Sequence, residues 1–476
     1  MAPTNLLHIT SNRLGEAKRA GRPLLVTSAY YLKFILRFFP KCKPLDVNDT
    51  AAPREQAAMT RSEKIIWIFF AVTSCQLAFQ YPPSWSLVAG ERTNLFSGLL
   101  CFLTLIVAVI FGRRGAINLR SPEFLISVAL AVIAGVSGLF SLTPLSSAFR
   151  VFVLLASGLG GFWCARILLQ TPENQRRFIG LCLWILGGLL VLSFLGYFIT
   201  GYIEHFISDR SHPLTNVILL LSFAPLTLLG QKSRPLMVLG IILLGLSYIT
   251  LCLSERISVV FIPLGVCLVG ALFGALRWKY FVLVCLVIGL VVGAFHQKIL
   301  WFKLSTSYSG SSFRVENFPF SWTIVKQYPW FGIGLRAPRE KFVQDYQPTY
   351  PAVTKEQFAR ITHEIVTADN QFLTLLVGLG VPFTLTYLAA LGMLLARLVG
   401  LAFKPPPGRL LHPLVLLFPL TAGLVHFQFF DGLLFPQSCW FFHLLLGLIP
   451  FGGECPATGA LRARENLCGV SQSLTG

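Results

Sequence analysis

The sequence predicts an all-α polytopic membrane protein with roughly twelve transmembrane helices and one large extracytoplasmic loop domain. Three observations lead to this prediction. Of the 476 residues, 54% are hydrophobic and only 12% are charged. Apolar runs long enough to cross ~30 Å of hydrocarbon recur from Ile65 to Pro450. The one long polar interruption among these runs covers residues 297–369.

The apolar runs divide the chain into five parts. A basic cytoplasmic tail (1–64) precedes transmembrane helices 1–9 (65–296), the extracytoplasmic loop domain (297–369), helices 10–12 (370–452) and a cytoplasmic tail (453–476). The candidate spans are 65–81, 95–112, 124–142, 149–169, 178–200, 213–230, 235–253, 257–276, 279–296, 370–398, 411–427 and 438–452.

Lys and Arg residues in the short loops predict the orientation. With the N-terminus in the cytoplasm, 13 of them fall in cytoplasmic loops and 4 in outer loops, and cytoplasmic loops are the ones that carry the excess of positive charge. The loop domain then lies outside. The cytoplasmic residues are Arg113, Arg114, Arg120, Arg166, Arg176, Arg177, Lys232, Arg234, Arg277, Lys279, Arg397, Lys404 and Arg409. The outer residues are Arg92, Arg150, Arg210 and Arg256.

The formal net charge of +19 would suggest a nucleic-acid partner in a soluble chain. Here the charges flank membrane spans, so they indicate orientation and contact with anionic membrane lipid, with no nucleic-acid partner. In the N-terminal tail, Lys33 and Arg37 share one face of an otherwise apolar stretch, which predicts an interfacial amphipathic helix. No Cys-x-x-Cys occurs among the eleven cysteines, so no metal site or disulfide framework is indicated.

The loop domain contains recognisable helix signals. After a small polar lead-in, Pro319 suits the first turn of a helix that runs to about Tyr328, and Pro329 ends it. Thr354 and Gln357 form a capping box that opens a second, short helix carrying His363.

The stretch "YPWFGIGL" (328–335) follows the first of these helices. Gly332 and Gly334 permit backbone conformations closed to other residues and a close approach of another chain segment or a ligand. Trp330 and Phe331 suit the membrane interface. The stretch is not a dinucleotide fingerprint, because no strand precedes it and no third glycine has the required spacing.

Arginines on the predicted outer side are candidate ligands for an anion. A guanidinium is a planar fork of donors that matches phosphate oxygens and stays charged. Snorkelling to the interface or pairing with a carboxylate, such as Glu255 beside Arg256, is the structural alternative. The candidates are Arg210, Arg256, Arg314, Arg336 and Arg339.

His363, Glu364 and Asp369 are the candidate acid–base groups. A solvated histidine is the alternative for His363, and Asp369 is also expected to cap the tenth span. The outer carboxylates are scattered without an Asp-x-Asp pair, so a metal-dependent glycosyltransferase is disfavoured and no metal or other cofactor is predicted.

The order of these segments resembles the O-antigen ligase and O-antigen polymerase superfamily of bacterial envelope proteins. Arg210 precedes a mid-chain span, "SER" (254–256) heads another, and Arg314 opens a long outer loop with a helix containing Trp322. The motifs that follow are "YPWFGIGL", "ADNQFLTLLVGLGVP" (368–382) and "FDGLLFPQSCWFFHLLLGL" (430–448). The resemblance covers about residues 205–450.

The resemblance implies a GT-C-like, metal-independent glycosyltransferase in the bacterial inner membrane. Its donor would be a glycan on undecaprenyl diphosphate, its acceptor a glycan or lipid, and polysaccharide assembly proteins are possible partners. Carried over by position, Arg210, Arg256 and Arg314 would bind the diphosphate, with Arg336 nearby, and a loop residue would assist the acceptor hydroxyl.

One departure from the family pattern affects the reaction that is predicted. Ligases of this family typically have His-Asn where this chain has Asp369-Asn370, and the nearest histidine is His363. This favours the polymerase or exopolysaccharide branch over the ligase. A transporter or flippase for lipid-linked glycans, and a non-catalytic assembly partner, are the alternative functions.

Overall fold

The computed structural model of the protein describes residues 59–79, 87–112, 118–200, 211–229, 233–253, 286, 315–335, 337, 339–349, 353–364, 370–403, 411–428 and 431–449. All regular structure within these ranges is helical, and they contain no strand. The helices are α1 (Arg61–Ala78), α2 (Leu87–Phe111), α3 (Pro122–Leu139), α4 (Pro144–Leu168), α5 (Pro172–Thr200), α6 (Ser211–Leu221), α7 (Phe223–Leu229), α8 (Arg234–Leu253), α9 (315–327), α10 (Glu340–Val343), α11 (Lys355–Glu364), α12 (Gln371–Phe403), α13 (Pro413–His426) and α14 (Pro436–Gly447), with a 3-10 turn at Gly432–Leu434.

Six of the described helices are long and apolar enough to cross a membrane, so the chain is a multi-pass membrane protein. They correspond to six of the predicted spans. These helices are α2, over Asn94–Phe111, and α3, α4, α5, α8 and α12.

The remaining predicted spans fall into two groups. The span 65–81 corresponds to α1, 411–427 to the shorter apolar helix α13, and 438–452 to α14. The span 213–230 is divided into α6 and α7, because Pro225 has no N–H to donate to the carbonyl of Leu221. The predicted spans 257–276 and 279–296 lie outside the described residues, apart from residue 286. The two tails also lie outside them, apart from residues 59–64, which include the beginning of α1. The count of twelve therefore stays a prediction.

Helices α1, α4 and α14 form the centre of the described bundle. Trp440 of α14 is fully buried, and its indole N–H donates a 3.2 Å hydrogen bond to Ser74 Oγ of α1. Gly161 of α4 lies against the Trp440 carbonyl, where a Cβ atom would come within 2.7 Å of that oxygen. Close helix contact through a small residue is the usual packing of membrane helices.

The described part of the loop domain has its own core. Phe320, Ile324, Tyr346 and Phe358, from α9 to α11, pack together and against Val377 of α12. The predicted capping box of α11 is confirmed, since Thr354 and Gln357 exchange two hydrogen bonds of 3.2 Å.

The expected start of α9 was wrong. The helix is already formed at residue 315, so Pro319 lies beyond its first turn. Proline removes a single hydrogen bond there, close to the beginning of the helix, and the helix continues to residue 327.

Helix α12 is interrupted at Gly380, which has φ 81° and ψ 176°. The backbone groups released by this break bond to the "YPWFGIGL" stretch and to α3, and we call this set of contacts the interlock. Its hydrogen bonds are Ile333 N–H to Val377 O (2.9 Å), Gly334 N–H to Gly378 O (3.0 Å), Val381 N–H to Pro329 O (2.8 Å) and Ser137 Oγ to Leu379 O (2.9 Å).

The interlock confirms the prediction made for the two glycines of "YPWFGIGL". Gly332 and Gly334 have φ values of 65° and 104°, which side chains strongly disfavour. Each also lies against another segment: a Cβ on Gly332 would meet the Val377 carbonyl at 2.5 Å, and one on Gly334 would meet Ser141 Cβ at 2.9 Å. The close approach is therefore of chain to chain.

Candidate functional site

The predicted diphosphate and acid–base residues are largely beyond what the structure describes. Arg210, Arg256, Arg314, Arg336 and Asp369 lie outside the described residues. The backbone of His363 belongs to α11, but its side chain is not described. The roles of all six stay predictions.

Two of these residues border described segments that meet at one end of the bundle. Arg210 directly precedes α6, and Asp369 directly precedes Asn370 at the start of α12. Both helices contact the 3-10 turn: Leu433 N–H donates a 2.6 Å hydrogen bond to Gln371 Oε1, and the Asn216 amide of α6 lies against Gly432.

Four buried polar residues surround this meeting point, and we call them the polar cluster. They are Asn216 of α6, Gln371 of α12, His426 of α13 and Asp431, none of which is more than 3% exposed. His426 Nδ1 and Asn216 Oδ1 form a hydrogen bond between α13 and α6. Buried ionisable and amide groups are costly in a membrane protein, so their concentration at one end makes the polar cluster a candidate functional site.

Two amide donors of the polar cluster are available. Asn216 Nδ2 and Gln371 Nε2 are buried and have no hydrogen-bond acceptor among the described residues. Buried donors normally have a partner, so an unoccupied pair requires an explanation. Amide N–H groups of this kind suit the oxygen of a hydroxyl or a phosphate.

The N-cap of α12 is Asn370, and the expectation that Asp369 fills this role was wrong by one residue. Asn370 Oδ1 accepts hydrogen bonds of 3.1 Å from the N–H groups of Phe372 and Leu373. The Asn370 side-chain amide also donates to the carbonyl of Gln428 at 3.2 Å, which joins α12 to the end of α13. Since Asn370 satisfies the helix terminus, a cap does not account for Asp369.

Arg339, one of the predicted anion ligands, has a structural role inside the loop domain. It is 3% exposed, and its Nη2 donates to Asn317 Oδ1 at 2.6 Å and to Ser321 Oγ at 2.8 Å. Its guanidinium carbon lies 4.9 Å from the centre of the Phe320 ring, a cation–π distance. The sequence could not distinguish this arginine from the others.

A second polar contact holds the same domain together. The Tyr346 hydroxyl donates to the buried carboxylate of Glu316, which also accepts a 2.8 Å hydrogen bond from the Thr349 backbone N–H. Burial, and then the hydrogen bond to Glu316, raise the pKa of Tyr346 well above its usual value. The tyrosine therefore stays neutral and fastens α9 to the following loop.

An apolar cavity opens among α3, α4, α12 and α14, with about 830 Å³ of space that includes its open mouth. Leu375 and Leu433 line the end of the cavity next to the polar cluster, and Leu375 lies one helical turn after Gln371 in α12. His443 and Tyr387 also line it, with His443 Nε2 3.3 Å from the Tyr387 hydroxyl.

At the other end of the cavity, Glu123 pairs with Arg166 at 3.4 Å. Arg166 is therefore a buried residue of α4 and not the loop charge that the sequence predicted.

No motif in the sequence singles out the polar cluster. Gln371 and Asp431 lie within the stretches "ADNQFLTLLVGLGVP" and "FDGLLFPQSCWFFHLLLGL" without being distinguished there, and Asn216 and His426 belong to no motif. A usable signal was present, because Asn216 and His426 each interrupt an apolar helix, and polar residues inside membrane helices are functional candidates. The sequence does not predict that these two residues contact each other, since Asn216 and His426 are 210 positions apart.

The described helices and the polar cluster define a multi-pass helical membrane protein with a buried polar cluster at one end of its bundle. Residues 217–388 match the family model described as O-Antigen ligase. The resemblance to the O-antigen ligase superfamily is thereby confirmed, and this family implies envelope polysaccharide synthesis from lipid-linked glycans. The chain matches no curated protein.

Proposed function

We propose that the protein is a membrane glycosyltransferase that transfers or polymerises an oligosaccharide carried on undecaprenyl diphosphate. It would act at the outer face of the bacterial inner membrane, with a cytoplasmic N-terminus, in O-antigen or exopolysaccharide synthesis. The family match over residues 217–388 carries this proposal, because the matched segment includes the loop domain, the hydrogen bonds between α12 and "YPWFGIGL", and Gln371 of the polar cluster.

In the proposed reaction, an acceptor hydroxyl attacks the anomeric carbon of the donor sugar. The bond from that carbon to the diphosphate oxygen breaks, and undecaprenyl diphosphate leaves with the electron pair. Arg210, Arg256, Arg314 and Arg336 would hold the diphosphate and stabilise its growing charge. Asp369 or His363 would accept the hydroxyl proton. The proposal assigns no step to a metal or cofactor.

The described part of the site suits an amphiphilic donor. Donor groups of Asn216 and Gln371 in the polar cluster offer partners for oxygen atoms, and the apolar cavity begins directly beside them at Leu375 and Leu433. A glycan diphosphate attached to a long hydrocarbon chain likewise has a polar part followed by an apolar part, in the same order as the polar cluster and the cavity.

A transporter for lipid-linked glycans is the second candidate, and the broken helix α12 is the observation in its favour. Transporters use released backbone groups of such helices to bind substrate or ions. Here the carbonyls of Val377, Gly378 and Leu379 already accept hydrogen bonds from "YPWFGIGL" and α3. The break therefore serves internal packing, which favours the enzyme.

The decisive experiment is transfer by the purified protein in proteoliposomes. The donor would be undecaprenyl-diphosphate oligosaccharide, with either the same glycan or a lipid A-core acceptor. A polymerase lengthens the glycan, and a ligase labels lipid A-core. Donor that moves across the bilayer without a new glycosidic bond would identify a transporter. If neither occurs, while a deletion strain still loses its surface glycan, the protein is a non-catalytic assembly partner.

A further inference from the structure

We propose that helix α9 docks the loop domain onto the lipid bilayer surface through an apolar stripe formed by Val315, Phe318 and Trp322. This interaction surface is independent of the proposed glycan transfer. It concerns how the loop domain is held against the membrane, whatever reaction occurs beneath it.

The three side chains lie on one exposed face of α9. Their spacing of three and four residues places them in line along the helix, and their exposed fractions are 57%, 61% and 44%. Lys326, exposed as well, continues the line by one further turn.

The opposite face of α9 combines apolar core side chains with buried polar groups. Its polar side chains Glu316, Asn317 and Ser321 are at most 1% exposed, and they bond to Tyr346 and Arg339 inside the loop domain. Large apolar groups of α9 thus lie on both its inward and its outward face. A surface helix in water usually has a polar outward face, so the stripe indicates an apolar medium outside α9.

The exposed apolar surface continues from α9 towards a membrane span. Trp330 and Phe331, just after α9, are 68% and 40% exposed, and the Phe331 ring stacks on Phe140 at 5.1 Å. Phe140 directly follows α3, a candidate span. Exposed apolar side chains of α3 form a stripe that suits contact with lipid: Leu125, Val128, Val132 and Leu139.

This continuity identifies lipid as the occupant. Trp and Phe are typical of the membrane interface, and a Lys at the end of an apolar stripe can extend its ammonium group to lipid phosphates. Anionic lipid would strengthen that contact. The interlock and the α9 stripe would then fix the loop domain to the bundle and to the bilayer respectively.

Site-specific fluorescence tests the docking. Phe318→Cys and Trp322→Cys would each be labelled with a nitrobenzoxadiazole probe, in a background without other reactive cysteines. The protein would be reconstituted in phosphatidylethanolamine–phosphatidylglycerol vesicles with and without doxyl-labelled lipid. Glu356→Cys, on the exposed face of α11, is the matched control.

We expect blue-shifted emission and strong quenching by doxyl lipid at positions 318 and 322, and little of either at 356. Emission and quenching equal to those at 356 would show that the stripe faces water and would overturn the proposal. A blue shift without quenching would also overturn it, because it indicates protein contact between copies. Both substituted residues are exposed, and equal thermal unfolding of the labelled variants verifies their folding.

Discussion

The backbone N–H of Gly334 donates a 3.0 Å hydrogen bond to the carbonyl of Gly378, inside a helix that has no N–H of its own for that carbonyl. An intact helix would bond the Gly378 oxygen to the N–H of residue 382, but that residue is a proline. The loop domain therefore supplies the donor that α12 lacks. At 33 residues and ~1.5 Å per residue, α12 is longer than ~30 Å of hydrocarbon requires, so its first turns can belong to the loop domain.

Gly380→Ala should destabilise the protein. Gly380 has a φ of 81° that an alanine adopts only with strain, and a Cβ would collide with the Trp330 carbonyl. Strain of this type costs about 1–3 kcal/mol before the collision is added. Thermal unfolding of the purified protein in detergent measures the loss.

Gly392→Ala is the matched control, because it lies in the same helix and a Cβ there meets nothing within 4 Å. We expect no loss of stability for this variant, and a gain is possible from its better helix propensity. An equal melting temperature for Gly380→Ala and the wild type would contradict the importance of the interlock.

Arg339→Ala should lower stability by about 1–3 kcal/mol, because it removes two buried hydrogen bonds of a charged group, to Asn317 and Ser321. Arg339→Lys should be only partly tolerated, since one ammonium group cannot reproduce the stacked guanidinium. Unfolding of the loop domain can be followed by limited proteolysis.

The structural role of Arg339 also predicts a kinetic pattern. Arg339 variants that remain folded should have the same KM for the lipid-linked donor as the wild-type protein. An increase in that KM at unchanged stability would return Arg339 to the group of diphosphate ligands.

Asn216→Leu should disrupt the polar cluster. The substitution removes the hydrogen bond between α6 and α13 and leaves His426 Nδ1 buried without it, at a cost of about 1–3 kcal/mol. If the free Asn216 amide also binds the donor, glycan transfer should fall by more than stability explains.

Thr215→Val is the control for Asn216→Leu, because Thr215 is the buried neighbour on α6. Transfer is measured for both variants at equal amounts of folded protein. Full activity of Asn216→Leu would remove the cluster from the proposed site.

Arg210 and Arg256 should each be required for transfer. Replacement by Ala should abolish most of the activity, and replacement by Lys should still impair it, because the bidentate fork is lost. The assay is donor consumption at matched expression, with Arg360→Ala on the exposed surface of α11 as the control. Normal transfer by Arg256→Ala would favour interfacial snorkelling as the reason for that arginine.

Asp369→Asn should reduce glycan transfer more than His363→Ala does, since a carboxylate can accept the acceptor proton and Asp369 is only two positions before Gln371 of the polar cluster. Helix capping does not confound this comparison, because Asn370 forms the cap of α12. Single-turnover transfer at matched protein levels separates the two variants. Loss of activity in His363→Ala alone would assign the base role to the histidine and weaken the preference for a polymerase.

Apolar length and short local signals could be read directly from the sequence. Six of the predicted spans have matching membrane-length helices, and the Thr354–Gln357 capping box forms as expected. Both depend on residues close together in the chain. The positive φ of Gly332 and Gly334 follows from the same local logic, because only glycine adopts it at low cost.

Only the tertiary structure could decide which distant segments meet. Whether an arginine binds a ligand or supports the fold depends on its neighbours, and Arg339 is buried by partners that the sequence does not specify. The polar cluster likewise unites α6, α12, α13 and the segment before α14. A break in α12 is suggested by Gly380 and Pro382, but the donors come from Ile333 and Gly334 of the loop domain and from Ser137 of α3, through contacts that no local pattern encodes.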